Sequence, residues 1–234
     1  MDYNRRRAVK TFGLILCLCA LGLGMMAAYR WEDEKGRLAH FKDQALAEKY
    51  CPVIVQADRI KPEPSHIYYR MARDESRIFI AYHVAWPYEK DETRGWVAAW
   101  NKMFYTGGLK LQKKIFGPED IEVVELVVDR QTGKITRIRY ESAELAQKGK
   151  KVKQNHIGKE ADGAEPPVYF ETITWNHMFT LTSKDHLDGK KLFRLAPEYF
   201  TAEQWDYYKM SKKHQTLLSQ DRAYFNWEIL PETK

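Results

Sequence analysis

The sequence predicts an α+β, β-rich protein: one antiparallel β-sandwich-like domain with flanking helices and an N-terminal transmembrane helix. Three observations support this prediction. Short segments rich in β-branched and aromatic residues alternate with turn residues, which is typical of sandwich strands. Hydrophobic residues make up 44% of the chain, which excludes a disordered polymer. A long run without charges lies close to the N-terminus and has the length of a membrane-spanning helix.

The chain divides by charge into three parts: a basic tail (residues 1–10), an uncharged segment (11–29) and an exported domain (30–234). As a helix, the uncharged segment spans about 29 Å, close to the thickness of the bilayer hydrocarbon. Basic residues stay in the cytoplasm, so the domain is expected on the opposite side. The prediction is a single-pass signal anchor in the inner (cytoplasmic) membrane, with an extracytoplasmic, periplasmic domain.

Two other kinds of leader are compatible with a basic, apolar N-terminus. A cleaved signal peptide needs small residues before the cut, but Met25 stands close before Ala27. A lipoprotein signal needs a small residue before its cysteine, but leucine precedes both Cys17 and Cys19. Both alternatives therefore fit less well than an uncut anchor.

The net charge of +6 does not indicate a nucleic-acid-binding protein. Arg5, Arg6, Arg7 and Lys10 against Asp2 supply half of it, so the exported part is only mildly basic. Proteins that bind nucleic acids usually cluster many basic residues on one face. We therefore expect the membrane, and an envelope protein or lipid, as partners.

Local patterns place helices and strands along the exported part. In chain order they predict a helix over 32–50, strands over 51–58 and 76–88, a helix over 95–108, a hairpin over 120–140, a strand over 168–175 running on into NHMFTL, a helix over 201–220 and a closing strand over 223–230. The helix at 201–220 begins with a capping box, Thr201 with Gln204. Residues 145–167, rich in lysine and glycine, predict a surface loop.

The helix predicted at 95–108 carries a stripe of large apolar residues at helical spacing. The stripe consists of Trp96, Ala99, Trp100, Met103 and Phe104. Core packing is the ordinary explanation for such a stripe. Contact with the bilayer is the alternative, because the domain is expected to be tethered there.

The hairpin at 120–140 has apolar residues on both faces of its first strand, which indicates cover on both sides. Val124, Leu126 and Val128 share a face with Asp120 and Glu122. The other face is apolar apart from Glu125. Gly133 supplies the turn, and the second strand is expected to bury Ile138 and Tyr140 and expose Arg137 and Arg139.

Asp120 and Glu122 are the candidate chemical site. Two acids spaced by two residues on a strand project from one face, about 7 Å apart. Buried without partners they are very costly, so a cation, an arginine or hydroxyl groups must meet them. Oxygen ligands suit a divalent cation such as Mg²⁺ or Ca²⁺, and His177, or His83 if its face turns that way, can add a nitrogen. Solvation or salt bridging at a strand end is the alternative.

Several segments resemble the family named for vacuolar protein sorting protein 62. They are ALAEKYCPVIVQAD, PEPSHIYY, IAYHVAWPY, GPEDIEVVELVVD and PVYFETITWNHMF, in the family's order. Related necrosis-inducing secreted proteins are β-sandwiches whose acids bind a divalent cation. The resemblance implies Asp120 and Glu122 as the matching ligands, with His177 a looser candidate. The histidine expected before the two acids is absent, since Gly117–Glu119 stand there.

The sequence contains no complete catalytic set: no glycine-rich phosphate loop, no G-x-S-x-G, no H-E-x-x-H and no C-x-x-C. The expected function is therefore a non-catalytic envelope module that binds a partner protein or lipid head groups. The alternative is a divalent-metal-dependent hydrolase acting on envelope polymers or lipids, with the cation at Asp120 and Glu122 activating water.

Overall fold

A computed structural model describes residues 38–89, 118–144 and 155–210. Strands dominate these residues. They are β1 (Ala39–Phe41), β2 (Val53–Ala57), β3 (His66–Arg73), β4 (Arg77–Trp86), β5 (Asp120–Asp129), β6 (Ile135–Glu144), β7 (Asn155–Asp162), β8 (Tyr169–Thr172), β9 (Phe179–Thr182), β10 (Lys190–Phe193) and β11 (Pro197–Tyr199). The helices are α1 (Gln44–Tyr50) and α2 (Ala202–Tyr207), with a 3₁₀ turn at Lys184–His186.

The strands form two sheets. The larger has the order β1-β3-β4-β5-β6-β7, with β11 also pairing with β3, and the smaller has the order β10-β2-β8-β9. Most pairs are antiparallel, as predicted, but β11 with β3 and β2 with β8 are parallel. The described part is thus a β-rich, sandwich-like α+β fold with mixed sheets.

The main core lies between the two sheets. Ile54, Phe170 and Phe179 of the smaller sheet pack in one cluster with Tyr82 and Leu126 of the larger sheet. A second cluster covers the opposite face of the larger sheet, where Phe200 and Trp205 around α2 pack on Phe79 and Val123. The capping box of Thr201 and Gln204 starts α2 as the sequence predicted. The larger sheet is therefore covered on both faces.

The predicted hairpin is confirmed. β5 is buried from Asp120 to Val128 and pairs with β6, and Gly133 turns the chain with a φ of 66°. Ile138 and Tyr140 are buried, as expected. Arg139 is buried too, contrary to the prediction, because it lies opposite buried Glu125 and forms an ion pair with Glu160 at 2.6 Å.

Two further predictions about the chain path were wrong. Residues 155–162, expected in a surface loop, form β7, which pairs along its length with β6. An edge strand needs only one neighbour and one shielded face, so its polar composition does not prevent pairing. Residues 39–41, expected in a helix, form β1, because Asp43 caps the helix and so starts it later, at Gln44.

Several sequence predictions concern residues outside the described ranges. These are the anchor at 11–29, the apolar stripe at 95–108, the lysine-rich segment at 148–153 and the closing strand at 223–230. Within the ranges that are described, no helix has the length and hydrophobicity required to span a membrane.

Candidate functional site

Asp120 and Glu122 lie at the start of β5, and their side chains face the space between the two sheets. They are 5% and 4% exposed, so neither is a solvated strand end. Their positions follow from the strand register, which pairs Asp120 with Trp86 and Glu122 with Val84 of β4. Alternation along β5 then places both carboxyl groups on the core side, as the sequence predicted.

Trp86 is the neighbour of Asp120 on the adjacent strand, β4. It is fully buried, and its indole Nε1 donates a hydrogen bond to Oε1 of Gln56 on β2 at 3.2 Å. The indole stacks on the imidazole of His177, with ring centroids 4.5 Å apart and planes 5° from parallel. Trp86 thus joins the two sheets at this end of the sandwich and fixes the plane of the histidine ring.

His177 lies in the turn between β8 and β9, just after the strand that the sequence predicted at 168–175. Its φ of 57° is in the left-handed region, which is unfavourable for a residue with a side chain. The turn is held by its N–H, which donates to the Thr174 carbonyl at 3.1 Å, and by the Met178 N–H, which donates to Thr174 Oγ1 at 3.0 Å. Strain of this kind is concentrated at functional sites.

The turn brings His177 to Asp120, with Nδ1 of the ring 2.7 Å from Oδ2 of the carboxyl group. Burial lowers the pKa of His177 to about 3, so the imidazole is neutral at physiological pH. When Asp120 is ionised it can only accept a hydrogen bond, and the ring proton then lies on Nδ1 with a lone pair on Nε2. The site therefore contains a carboxyl–imidazole pair with a second buried ring nitrogen beyond it.

The surroundings of Glu122 favour its protonated form. Burial raises its pKa well above the usual value, and the nearby acids Glu141 and Asp120 raise it further. The Glu122 carboxyl group forms a hydrogen bond with the side chain of Glu141. A protonated Glu122 can donate such a bond.

We call Asp120, Glu122, Glu141 and His177 the acidic chamber. Side-chain atoms in and next to it have no hydrogen-bond partner among the described residues: Glu122 Oε2, His177 Nε2, Ser142 Oγ and Thr172 Oγ1. Ser142 follows Glu141, and Thr172 pairs with Gln56, the partner of Trp86. Buried polar atoms are normally met by ordered water or an ion, so the composition of the chamber fits a polar guest.

The fit to a divalent cation is partial. The carboxyl oxygens are ligands of the type that Mg²⁺ and Ca²⁺ prefer. However, no group of three or more His, Cys, Asp or Glu side chains within the described ranges is arranged to hold a metal ion. Asp120 is hydrogen-bonded to His177, an arrangement in which the acid orients the imidazole rather than filling a ligand position itself.

Of the residues predicted from sequence, the structure brings Asp120, Glu122 and His177 together and excludes His83. His83 points to the other face of the larger sheet, where its ring packs against Phe200 and Trp205. Glu141 was not predicted. Strand alternation places it opposite to Tyr140, and its contact with Glu122 arises beyond the last β5–β6 pair, Val124 with Tyr140. No local pattern signals that contact.

Comparisons with known proteins add no relative: no family model, no curated protein and no solved structure matches this chain.

Proposed function

We propose that the protein is a membrane-anchored, extracytoplasmic module without catalytic activity, which binds an envelope partner or lipid head groups. One observation carries this proposal: the polar chamber is closed. Asp120, Glu122 and His177 are 5%, 4% and 0% exposed. A hydrolase must admit a polymer or lipid to its acids and base, and these groups are sealed between two sheets.

In this proposal the chamber stabilises the fold. A divalent cation, Mg²⁺ or Ca²⁺, would lie beside the Glu122 carboxyl group and the Nε2 atom of His177, while Asp120 orients the ring. These two groups alone make an incomplete ligand set, so the cation would be weakly held. The unpartnered atoms Glu122 Oε2 and His177 Nε2 support this assignment.

We also propose the relationship to the vacuolar protein sorting protein 62 family. The segments that carry the resemblance coincide with strands β2, β3, β4, β5 and β8. Their order along the chain is kept, and the two acids fall at the start of a buried strand. The absence of a histidine before Asp120 is consistent with a weakened metal site and with a binding rather than a catalytic role.

The membrane part of the proposal makes a direct prediction. Deleting residues 1–29 is expected to release the domain from the membrane, because the only long uncharged segment is removed. Fractionation by ultracentrifugation tests this, with the full chain as the control. A deleted protein that still sediments with membranes contradicts the anchor as the sole attachment.

The second candidate function is the metal-dependent hydrolase, and the pairing of Asp120 with His177 favours it. A carboxyl group hydrogen-bonded to Nδ1 of an imidazole is the geometry that orients general bases in many enzymes. In the closed chamber burial lowers the pKa of His177 to about 3, so the ring would act as a base only after water enters. A hydrolase would require the chamber to open to its substrate.

Metal analysis and one substitution separate the two functions. Glu122→Gln keeps the shape and the donor that a protonated Glu122 presents, so the module is expected to keep partner and lipid binding and to change only in stability. A hydrolase is expected to lose at least 100-fold in activity, about 3 kcal/mol of transition-state stabilisation. Elemental analysis and melting with added Mg²⁺ or Ca²⁺ accompany the assay. Cation-dependent hydrolysis that Glu122→Gln abolishes would overturn the proposed function.

A further inference from the structure

A cavity separate from the acidic chamber lies half open to solvent beside the end of β7 and the paired ends of β8 and β9. Its volume is about 410 Å³, and it lies between the ends of β6 and β7 on one side and of β8 and β9 on the other. Ile138, Val168 and Leu181 form part of its lining, together with Pro166 and Pro167. Ile138 and Val168 are buried, whereas Leu181 and the two prolines are partly exposed. The volume falls within the range of small-molecule sites.

Charged groups of both signs surround this apolar cavity. Asp162, at the end of β7, and Glu165, in the loop that follows, contribute two carboxylates. Lys184 contributes an ammonium group from the segment after β9. All three side chains are exposed to solvent. None of them forms an ion pair or a side-chain hydrogen bond with another residue that the structure describes.

The strand register explains why opposite charges meet at this mouth. The β8–β9 ladder ends at the pair of Tyr169 with Thr182. Two residues beyond this pair, Pro167 precedes β8 and Lys184 follows β9. Glu165 precedes the two prolines. The prolines have no N–H with which to continue the ladder, and the cavity lies beside this end of it.

We propose that this cavity binds a single-chain zwitterionic amphiphile, with its apolar chain between the sheets and its head group at the charged mouth. The head group has the chemistry of phosphoethanolamine: an ammonium group for Asp162 and Glu165, and a phosphate for Lys184. The inference rests on the proposed function and specifies its lipid ligand. Charge complementarity selects this class of ligand.

Other ligands satisfy the mouth less well. An uncharged amphiphile gives the three charged groups no partner, so it gains no electrostatic attraction at the mouth. An anionic amphiphile meets Lys184 but is repelled by two carboxylates. A cationic one leaves the ammonium group of Lys184 opposed by a like charge. A head group that carries both charges a few bonds apart pairs with all three side chains.

Photo-crosslinking tests the proposal on the full chain, purified in an uncharged detergent. Three probes share one photoreactive alkyl chain and differ in head group: phosphoethanolamine, phosphate and hydroxyl. The detergent competes equally with all three, so the comparison isolates the head group. We expect the phosphoethanolamine probe to label peptides that contain Pro166–Val168 or Leu181, at about tenfold lower concentration than either other probe.

Matched substitutions assign the charges. The double substitution Asp162→Asn with Glu165→Gln is expected to weaken phosphoethanolamine labelling about tenfold while leaving phosphate labelling equal or stronger. Lys184→Gln is expected to weaken both probes that carry phosphate. The controls Asp188→Asn and Lys134→Gln change exposed charges outside the cavity and are expected to have no effect.

The outcomes separate this proposal from the one on which it rests. Equal labelling by the hydroxyl probe, labelling elsewhere, or indifference to the double substitution overturns the zwitterionic ligand. If a protein partner is then recovered by crosslinking through this face, the module function stands and the ligand proposed here is wrong. If the cavity is labelled but the chain hydrolyses the probe, the ligand stands and the non-catalytic function is wrong.

Discussion

Replacing Asp120 with alanine is expected to lower the free energy of unfolding by about 3 kcal/mol. The substitution removes the hydrogen-bond partner of His177 Nδ1, 2.7 Å away, and leaves that buried nitrogen without a partner. It also leaves a small cavity beside Trp86, which is fully buried. Denaturant unfolding at neutral pH, followed by tryptophan fluorescence, measures the change.

Asp120→Asn is the matched control, because an amide oxygen still accepts the imidazole proton. We expect it to cost about 1 kcal/mol. Asp188→Ala, at an exposed position, serves as the surface control and should stay within about 0.5 kcal/mol of the unsubstituted protein. A cost for Asp120→Ala as small as that of the surface control would show that the contact with His177 contributes nothing to stability.

The second large effect is a pH dependence that Glu122 imposes and Glu122→Gln removes. The folded protein raises the pKa of Glu122 well above its usual 4.5, so it keeps a proton that the unfolded chain releases. The stability that this proton contributes is fully present below pH 4.5 and is lost as the pH rises. The slope is about 1.4 kcal/mol per pH unit for one proton.

His177 contributes the opposite slope in a lower pH window. Its pKa falls from 6.5 to about 3 in the folded protein, so its stabilisation is present above pH 6.5 and is lost as the pH falls toward 3. Between pH 4.5 and 6.5 the slope from Glu122 is opposed by two histidines, because burial lowers the pKa of His83 to about 3 as well. Above 6.5 both histidines are neutral in the folded and the unfolded protein, and the slope from Glu122 continues up to its folded pKa, so that window gives the cleanest test.

The measurement is the free energy of unfolding at several pH values above 6.5, with chelator present. The unsubstituted protein is expected to lose stability with rising pH, and Glu122→Gln to remain nearly flat, so that the difference grows by about 1.4 kcal/mol per pH unit. Glu75→Gln, at an exposed position, is the control and should keep the original slope. Parallel curves for the protein and Glu122→Gln would mean that Glu122 is ionised when folded.

Adding Mg²⁺ or Ca²⁺ in the same experiment links this prediction to the proposed role of the chamber. If a cation takes the place of the Glu122 proton, it is expected to stabilise the protein most at high pH, where the proton is hardest to retain. Stabilisation that is independent of pH would place the cation elsewhere.

The sequence predicted the parts of the site that alternation along a strand can specify. Asp120 and Glu122 share a face with Val124 and Leu126, and the structure buries that face between the sheets. His177 was placed after a late strand but with no means of measuring its distance from Asp120. Glu141 was not predicted, because its contact with Glu122 depends on the course of β6 beyond its last pair with β5. No local sequence pattern indicates that course.

The sequence also did not predict the edge strand β7 or the burial of Arg139. Residues 155–162 are polar and contain glycine, so their composition indicated a loop, yet they pair with β6. Arg139 follows the expected alternation but lies opposite Glu125, so its charged end is buried with a partner instead of facing water. In both cases a neighbouring strand supplied the backbone or charge partner that made the outcome favourable.

The sequence by itself determined the β-rich sandwich-like class, the two faces of β4 and β5, the turn at Gly133 and the shared face of the two acids. These features follow from side-chain period and backbone preference, which are local properties of the chain. Only the tertiary structure decided that the two acids are buried, that a strained turn brings His177 to Asp120 and that Glu141 lies beside Glu122. Such contacts join residues 57 and 19 positions apart, and their free energy exists only once the sheets have packed.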